Sequence, residues 1–386
     1  MAPVQYCPWL HRFAMLLVTT TFVLVVAGGT VTSKGAGLAV PDYPTTFGYN
    51  MFAVPFDQWI GRGGIFWEHL HRLIGSFVGM LSIVMMVWLW LTQRNRRWLR
   101  WTGVALLVAV IVQGLMGGLR VTEISLTLAI VHGITAQLFL CLTVFLAAAT
   151  SRFWMTEQTK VDERKTRNAE LRYSKDMGTG SATGHSGNTD RNSTAYHGLA
   201  NLLLVTLLIQ LVLGANVRHL GAGLAIPDFP LSFDRLLPPF DQAGIIKATD
   251  AMMIEYSKAA AEYATVPQVA LHFAHRVWSL IVFIIAGSLL WRLWASSRQI
   301  PLGQGLIRPS GALAVLLIVQ MTLGIAVVTS GRQTAIATAH QTVGATLLAT
   351  AFLLAIRIHL LDGRRTGESI RYPQIKPAGA IRLGSA

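Results

Sequence analysis

Apolar runs of about 20 residues recur along this chain, separated by short polar stretches. A helix rises 1.5 Å per residue, so such a run matches the roughly 30 Å hydrocarbon core of a bilayer. Inside that core each backbone N–H and C=O must find a partner within the protein, which a helix provides. Eight spans follow, at 13–33, 68–91, 102–121, 125–149, 197–217, 269–294, 309–329 and 334–358. Composition agrees, with 53% hydrophobic and 13% charged residues, where a soluble domain carries about 25% charged. The expected fold class is all-α integral membrane. The run from Phe13 to Val31 is too long for a signal-peptide core, so it reads as a retained helix.

The formal net charge of +14 points to orientation, not to nucleic acid, because the basic residues gather in the loops. Arg94, Arg96, Arg97 and Arg100 lie in 92–101, eight Lys or Arg in 150–196, Arg298 and Arg308 in 295–308, and five more in the tail after 360. In an eight-span chain all of these fall on one side, which the positive-inside rule makes cytoplasmic. Both termini are then cytoplasmic in a plasma-membrane protein, and the loops 34–67 and 218–268 face out. Cys7 and Cys141 sit in regions that do not meet, and no CxxC occurs, so neither a disulfide nor a covalent c-type heme is expected.

The Gly/Ser/Thr-rich stretch 176–195, with the charged run before it, reads as a flexible linker at mid-chain. On either side of it the chain repeats itself. GAGLAVPDYP at 35–44 returns as GAGLAIPDFP at 221–230, PFDQ occurs at 55–58 and 239–242, EHLHR at 68–72 answers to HFAHR at 272–276, and QGLMGGLRV at 113–121 to QMTLGIAVV at 320–328. Four spans per half is an even number, so the halves share one orientation: two parallel-repeat four-helix bundles. The expected division is 1–150, an N-terminal half; 151–196, a cytoplasmic polar linker; 197–360, a C-terminal half; and 361–386, a basic cytoplasmic tail.

Ionisable residues within spans are costly and mark function. Four histidines stand at matched places, His71 and His132 in the first half and His275 and His340 in the second. Two imidazoles on different helices of a bundle are the axial pair that a heme iron takes. Two histidines per half without a thiolate cluster do not make a zinc site. Glu68 precedes His71 by three residues, one turn away on the same face, and its counterpart is His272. A carboxylate beside one site only can relay protons or stabilise positive charge on an oxidised substrate; the alternative is an interfacial ion pair with Arg72. His69, some 200° round the helix from His71, reads as peripheral. Arg72 and Arg276 are candidates for propionate contacts or for snorkelling to the interface. Gly75 and Gly79 lie on the His71 face and leave room for a helix or a flat macrocycle.

Taken together, the ExxHR of Glu68, His71 and Arg72, the second histidine His132, the matched His275 and His340, and the G-x-G-L-x-x-x-D-x-P loops resemble the heme A synthase family over residues 13 to 360, apart from the linker. The resemblance implies two four-helix bundles and oxidation of the C8 methyl of heme O to a formyl group, giving heme A for terminal oxidases. It places substrate heme O between His71 and His132 with Glu68 as the catalytic carboxylate, and a heme b between His275 and His340. It also implies a heme O synthase upstream, within the lipid bilayer, and leaves the electron donor and any homo-oligomer open. A cysteine pair found in the outer loops of some members is missing here, and the outer insertion 243–266 has no assigned role. Methyl to aldehyde is a four-electron oxidation: two hydroxylations give a geminal diol, which loses water, and the inert C–H bond calls for a redox metal. The main competing reading is a diheme cytochrome carrying electrons, for example from quinol, without modifying its hemes. A parallel-repeat transporter is the other, but its polar residues belong at the bilayer midplane, whereas these cluster toward the outer face.

Overall fold

The computed structural model describes residues 6–176, 190–256, 263–297 and 304–362. Among them the regular structure is helical. The helices are α1 (Pro8–Ser33), α2 (Phe56–Trp59), α3 (Gly64–Thr92), α4 (Arg97–Thr122), α5 (Leu126–Ala149), α6 (Arg152–Asp176), α7 (Asp190–His219), α8 (Gln242–Tyr256), α9 (Val266–Ser297), α10 (Gln304–Thr329) and α11 (Thr334–Asp362), with a 3₁₀ turn at Ala222–Leu224. Eight of these are long and apolar enough to cross a membrane: α1, α3, α4, α5, α7, α9, α10 and α11. They fall on the eight expected runs, and most extend past them by a few residues at one or both ends, because helical hydrogen bonding continues into polar sequence where apolar patterning stops. This is a multi-pass membrane protein.

Two further helices lie in a segment expected to be a flexible linker and in an insertion with no assigned role. α6 covers the charged start of the 151–196 stretch, while the Gly/Ser/Thr-rich 177–189 lies outside the described residues, as do the tail from 363 and 257–262 of the outer insertion. α8 gives the insertion a structural place. Its Ile245 and Met252 are buried with Val217, Ala222, Ile226, Phe233 and Val269, a cluster separate from the cores within the spans. It caps the loop end of the second half.

Each half packs around its own core. In the first, Leu10, Leu17, Val78, Met85, Leu99, Leu106 and Leu146 from α1, α3, α4 and α5 meet. In the second, Leu203, Leu207, Leu289, Leu313, Leu317 and Leu354 from α7, α9, α10 and α11 do the same. The halves join along α1, α5, α7 and α11, where Val25 and Leu140 pack on Ala345 and Ala349. Arg218 at the end of α7 ties the joint. It donates to Gln341 Oε1 at 2.6 Å, to the Gly29 carbonyl at 2.5 Å and to Ser33 Oγ at 2.5 Å. Thr338 of α11 adds a bond to the same Ser33 hydroxyl at 2.8 Å.

α10 contains Pro309 in its second turn. Proline has no N–H for the carbonyl four residues earlier, which is that of Gly305. Arg357 of α11 fills the gap, donating Nη1 to the Gly305 carbonyl at 2.6 Å. The helix therefore starts five residues before the expected 309.

Candidate functional site

The four histidines stand on α3, α5, α9 and α11, and the fold brings them together in the expected pairs: His71 with His132, and His275 with His340, each pair within electrostatic reach. All four rings are seated alike. A Cβ placed on Gly28 would lie 2.9 Å from His71 Cε1, on Gly117 3.2 Å from His132 Cε1, on Gly214 3.0 Å from His275 Cε1 and on Gly324 3.1 Å from His340 Cε1. Each imidazole thus leans on a neighbouring helix that a missing side chain lets in close. Gly75 and Gly79 do not serve this purpose: Gly79 has open space before it and Gly75 faces Leu24 at 3.8 Å.

In each of the four histidines Nδ1 is buried against the protein, and at His71, His132 and His340 the backbone of Leu24, Gln113 and Gln320, four residues before the seating glycine, is close enough to bond the ring. A ring fixed through one nitrogen leaves the other to meet a ligand, and four matched places seated this way point to one. The donor set fits a heme. A six-coordinate iron takes one nitrogen from each of two imidazoles. Among the described residues no group of three or more His, Cys, Asp or Glu is gathered as a protein-only metal site requires.

Glu68 and His272 are both buried, and both face the loop that follows the first helix of their half. Glu68 Oε2 accepts from the Val40 N–H at 2.9 Å, and Oε1 from Arg72 Nη2 at 3.0 Å. At the matching position His272 Nδ1 accepts from the Ile226 N–H at 3.2 Å, and its Nε2 lies 3.3 Å from Arg276 Nε. The arginines complete the same pattern. Arg72 donates to the carbonyls of Val40, Asp42 and Thr45 at 2.9, 2.6 and 3.0 Å. Arg276 donates to those of Ile226 and Leu231 at 2.9 and 3.1 Å. Both guanidiniums are engaged by loop backbone and clamp the loop to the helix. His69 is buried beneath the first loop, 3.3 Å from Thr46 Oγ1 and with its ring centroid 4.7 Å from that of Trp59.

The two loops are built on one plan. Asp42 accepts from the N–H groups of Phe47 and Gly48 at 2.8 and 2.9 Å and from Thr45 Oγ1 at 2.6 Å. Asp228 accepts from the N–H groups of Phe233 and Asp234 at 2.8 and 3.0 Å. Such side-chain-to-backbone bonds hold Phe47 and Phe233 at φ 52° and 57°, a region few non-glycine residues adopt unaided. Partial burial acts to raise the Asp42 pKa, but the donors from Gly48, Thr45 and Phe47 outweigh it and the carboxyl sits below its ordinary value.

Three polar groups at the first site escaped the sequence reading. Arg120, at the end of α4, donates Nη2 to the Gly37 carbonyl at 2.9 Å, and it lies in electrostatic reach of Glu68, His71 and His132. His219 comes from α7 of the other half. Its Nε2 would be 3.9 Å from a Cβ on Gly133, the neighbour of His132. The ring of Tyr43 fills the space over Gly118, where a Cβ would lie 2.3 Å from it. The corresponding residues elsewhere in the repeat are Val327, Ser33 and Phe229.

Eight spans and two glycine-seated histidine pairs define a helical membrane protein. Residues 62–352 match the model of the cytochrome oxidase assembly protein family, and the chain belongs to that family. Its relatives include the heme A synthase of Sphingopyxis alaskensis, 29% identical over 308 residues, which cover 78% of this chain and 71% of that one. The heme A synthase of Methylorubrum populi is 26% identical over 82% of this chain and 77% of its own. That of Rhizorhabdus wittichii is 24% identical over 88% and 91%. The resemblance drawn from the ExxHR motif and the matched histidines agrees with these findings.

Proposed function

We propose that this protein is a heme A synthase, an oxidoreductase that converts the C8 methyl of heme O to a formyl group. In this reading the first half holds heme O between His71 and His132, and the second holds a heme b between His275 and His340. The observation that carries it is the set of four half-buried histidines, paired across helices and each seated against a glycine. Heme iron would supply the redox chemistry that no side chain here can.

The chain's own residues divide the work. The histidine pairs fix the two macrocycles. The Glu68–Arg72 and His272–Arg276 clamps hold the loops over the outer end of each site and keep water out. Glu68 also brings the first half a negative charge one turn from His71, where it stabilises positive charge developing on the substrate and takes up a released proton. The shared two-point contacts of Glu68 and His272 favour a second reading, in which both are only loop anchors and the protein is a diheme electron carrier. Heme extraction from protein purified out of a host that makes heme O decides between them. A formyl-bearing heme dependent on Glu68 supports the synthase; heme O and heme b alone support the carrier. The parallel-repeat division into 1–150 and 197–360, the cytoplasmic termini and a heme O synthase as upstream supplier belong to the same proposal.

A further inference from the structure

Resting on that reading, we infer that Arg120, with His219 donated by the opposite half, forms the subsite that receives the carboxylate edge of the first-half macrocycle. The first observation is one of charge. Glu68 makes its ion pair with Arg72 at 3.0 Å and reaches Arg120 only at longer range; among the described residues no carboxylate lies within 4.0 Å of Arg120. A guanidinium near the membrane-spanning core with no anion in contact is expensive. Among the described residues its one hydrogen bond goes to the Gly37 carbonyl and uses a single N–H of Nη2, which leaves most of its five donors for a ligand.

The second observation is position. Arg120 is three residues beyond Gly117, the seat of His132, or about 4.5 Å further toward the loop end of α4. Gly37 is the glycine that lets it in: a Cβ there would lie 2.5 Å from Arg120 Nη2. His219 approaches His132 over Gly133, with its Nε2 3.9 Å from a Cβ placed there, and lies within electrostatic reach of both His132 and Arg120. A rigid macrocycle held through its iron by His71 and His132 would bring the carboxylates of its rim toward this pair of groups. The guanidinium fork suits a carboxylate, which it binds through two parallel bonds.

The third observation is the contrast between halves. Val327 stands where Arg120 would be in the second half, and Ser33 where His219 would be. Arg332 does approach Gly223, the counterpart of Gly37, with Cδ 3.6 Å from a Cβ placed there, but it is exposed and springs from the α10–α11 turn. The first half is thus the one that reads carboxylates from within its bundle, and it needs the second half's α7 to do so.

The test is a spectroscopic titration of the full-length chain in nanodiscs with iron protoporphyrin IX and, separately, with its dimethyl ester. The first-half signal is the part lost in His71→Ala. Arg120→Gln should weaken the diacid by about tenfold or more and leave the ester unchanged; Arg120→Lys should recover part of the loss. His219→Ala should act in the same sense but less. The second-half signal serves as the check on folding. An equal loss for diacid and ester, or no loss for either, overturns the subsite while leaving the heme reading intact. A wild-type titration with no component sensitive to His71 overturns both.

Discussion

Glu68 and His272 do one mechanical job with different chemistry. Each spans from a backbone N–H in the loop to the arginine four residues later in its own helix. An ionised carboxylate has acceptor sites for both donors at once, whereas a neutral imidazole has one acceptor nitrogen. At 3.2 and 3.3 Å, only one of the two contacts to His272 is a hydrogen bond at a given moment. The first-half clamp is therefore fully satisfied and carries a buried ion pair, and the second is half satisfied and uncharged. A carboxylate would serve the second half better as an anchor alone. The proposed catalytic use of Glu68 predicts that this difference in charge, and not the anchoring the two clamps share, separates the halves in function.

The largest effect expected from this contrast is on product. Glu68→Gln should abolish heme A formation, leave heme b in the second half and let heme O or a partly oxidised heme accumulate, while His272→Gln should be much milder. Extracted hemes measure it, and equal losses in both variants would make the asymmetry purely structural. Next in size is loss of a cofactor from one half alone: His275→Ala or His340→Ala should remove the low-spin heme b spectrum while the protein still inserts. Persistence of a bis-imidazole spectrum in both would displace heme b from that half.

The glycine seats sharpen the comparison further. Gly28→Val should push the His71 ring aside and weaken first-half heme binding by about tenfold, and Gly214→Val should do this to the second half through His275, since the seats are equivalent. Each variant should spare the other half in a two-component titration. The smallest effect is in the loops. Because the Asp42 pKa is depressed in the folded state, its contribution is present above the ordinary carboxylate value of 3.8 and is lost as pH falls through the folded one. Protection factors at Phe47 and Gly48, exchange rates taken relative to the unstructured peptide at the same pH, should therefore fall below about pH 4, and Asp42→Asn should reproduce this at neutral pH.

The spans and the histidines were legible because each follows from a local property: apolar length for the helices, and a titratable residue within an apolar run for the ligands. The seats were not. Gly28, Gly117, Gly214 and Gly324 look like any glycine in a membrane helix until the neighbouring helix is in place. Gly75 and Gly79 satisfied the spacing and had no ring to receive. Arg120 was hidden by its position, because a basic residue at a span end already has a reason to be there in setting orientation. The clamps of Arg72 and Arg276 escaped for a different reason. Their acceptors lie 27 to 50 residues back in the chain, in carbonyls that carry no side-chain signature. α8 escaped as well, since a helix that packs on loop residues has no span-length apolar run to betray it.

The bond from Arg357 to Gly305 has a consequence for biogenesis. When α10 emerges from the ribosome, Pro309 leaves the Gly305 carbonyl open, and the donor that closes it lies about 50 residues further on, in α11. The carbonyl sits in the first turn of α10, ahead of the apolar run, where water can hold it until α11 arrives. Packing of α11 then exchanges that water for a fixed charged donor, so the last helix of the chain completes the start of the one before it.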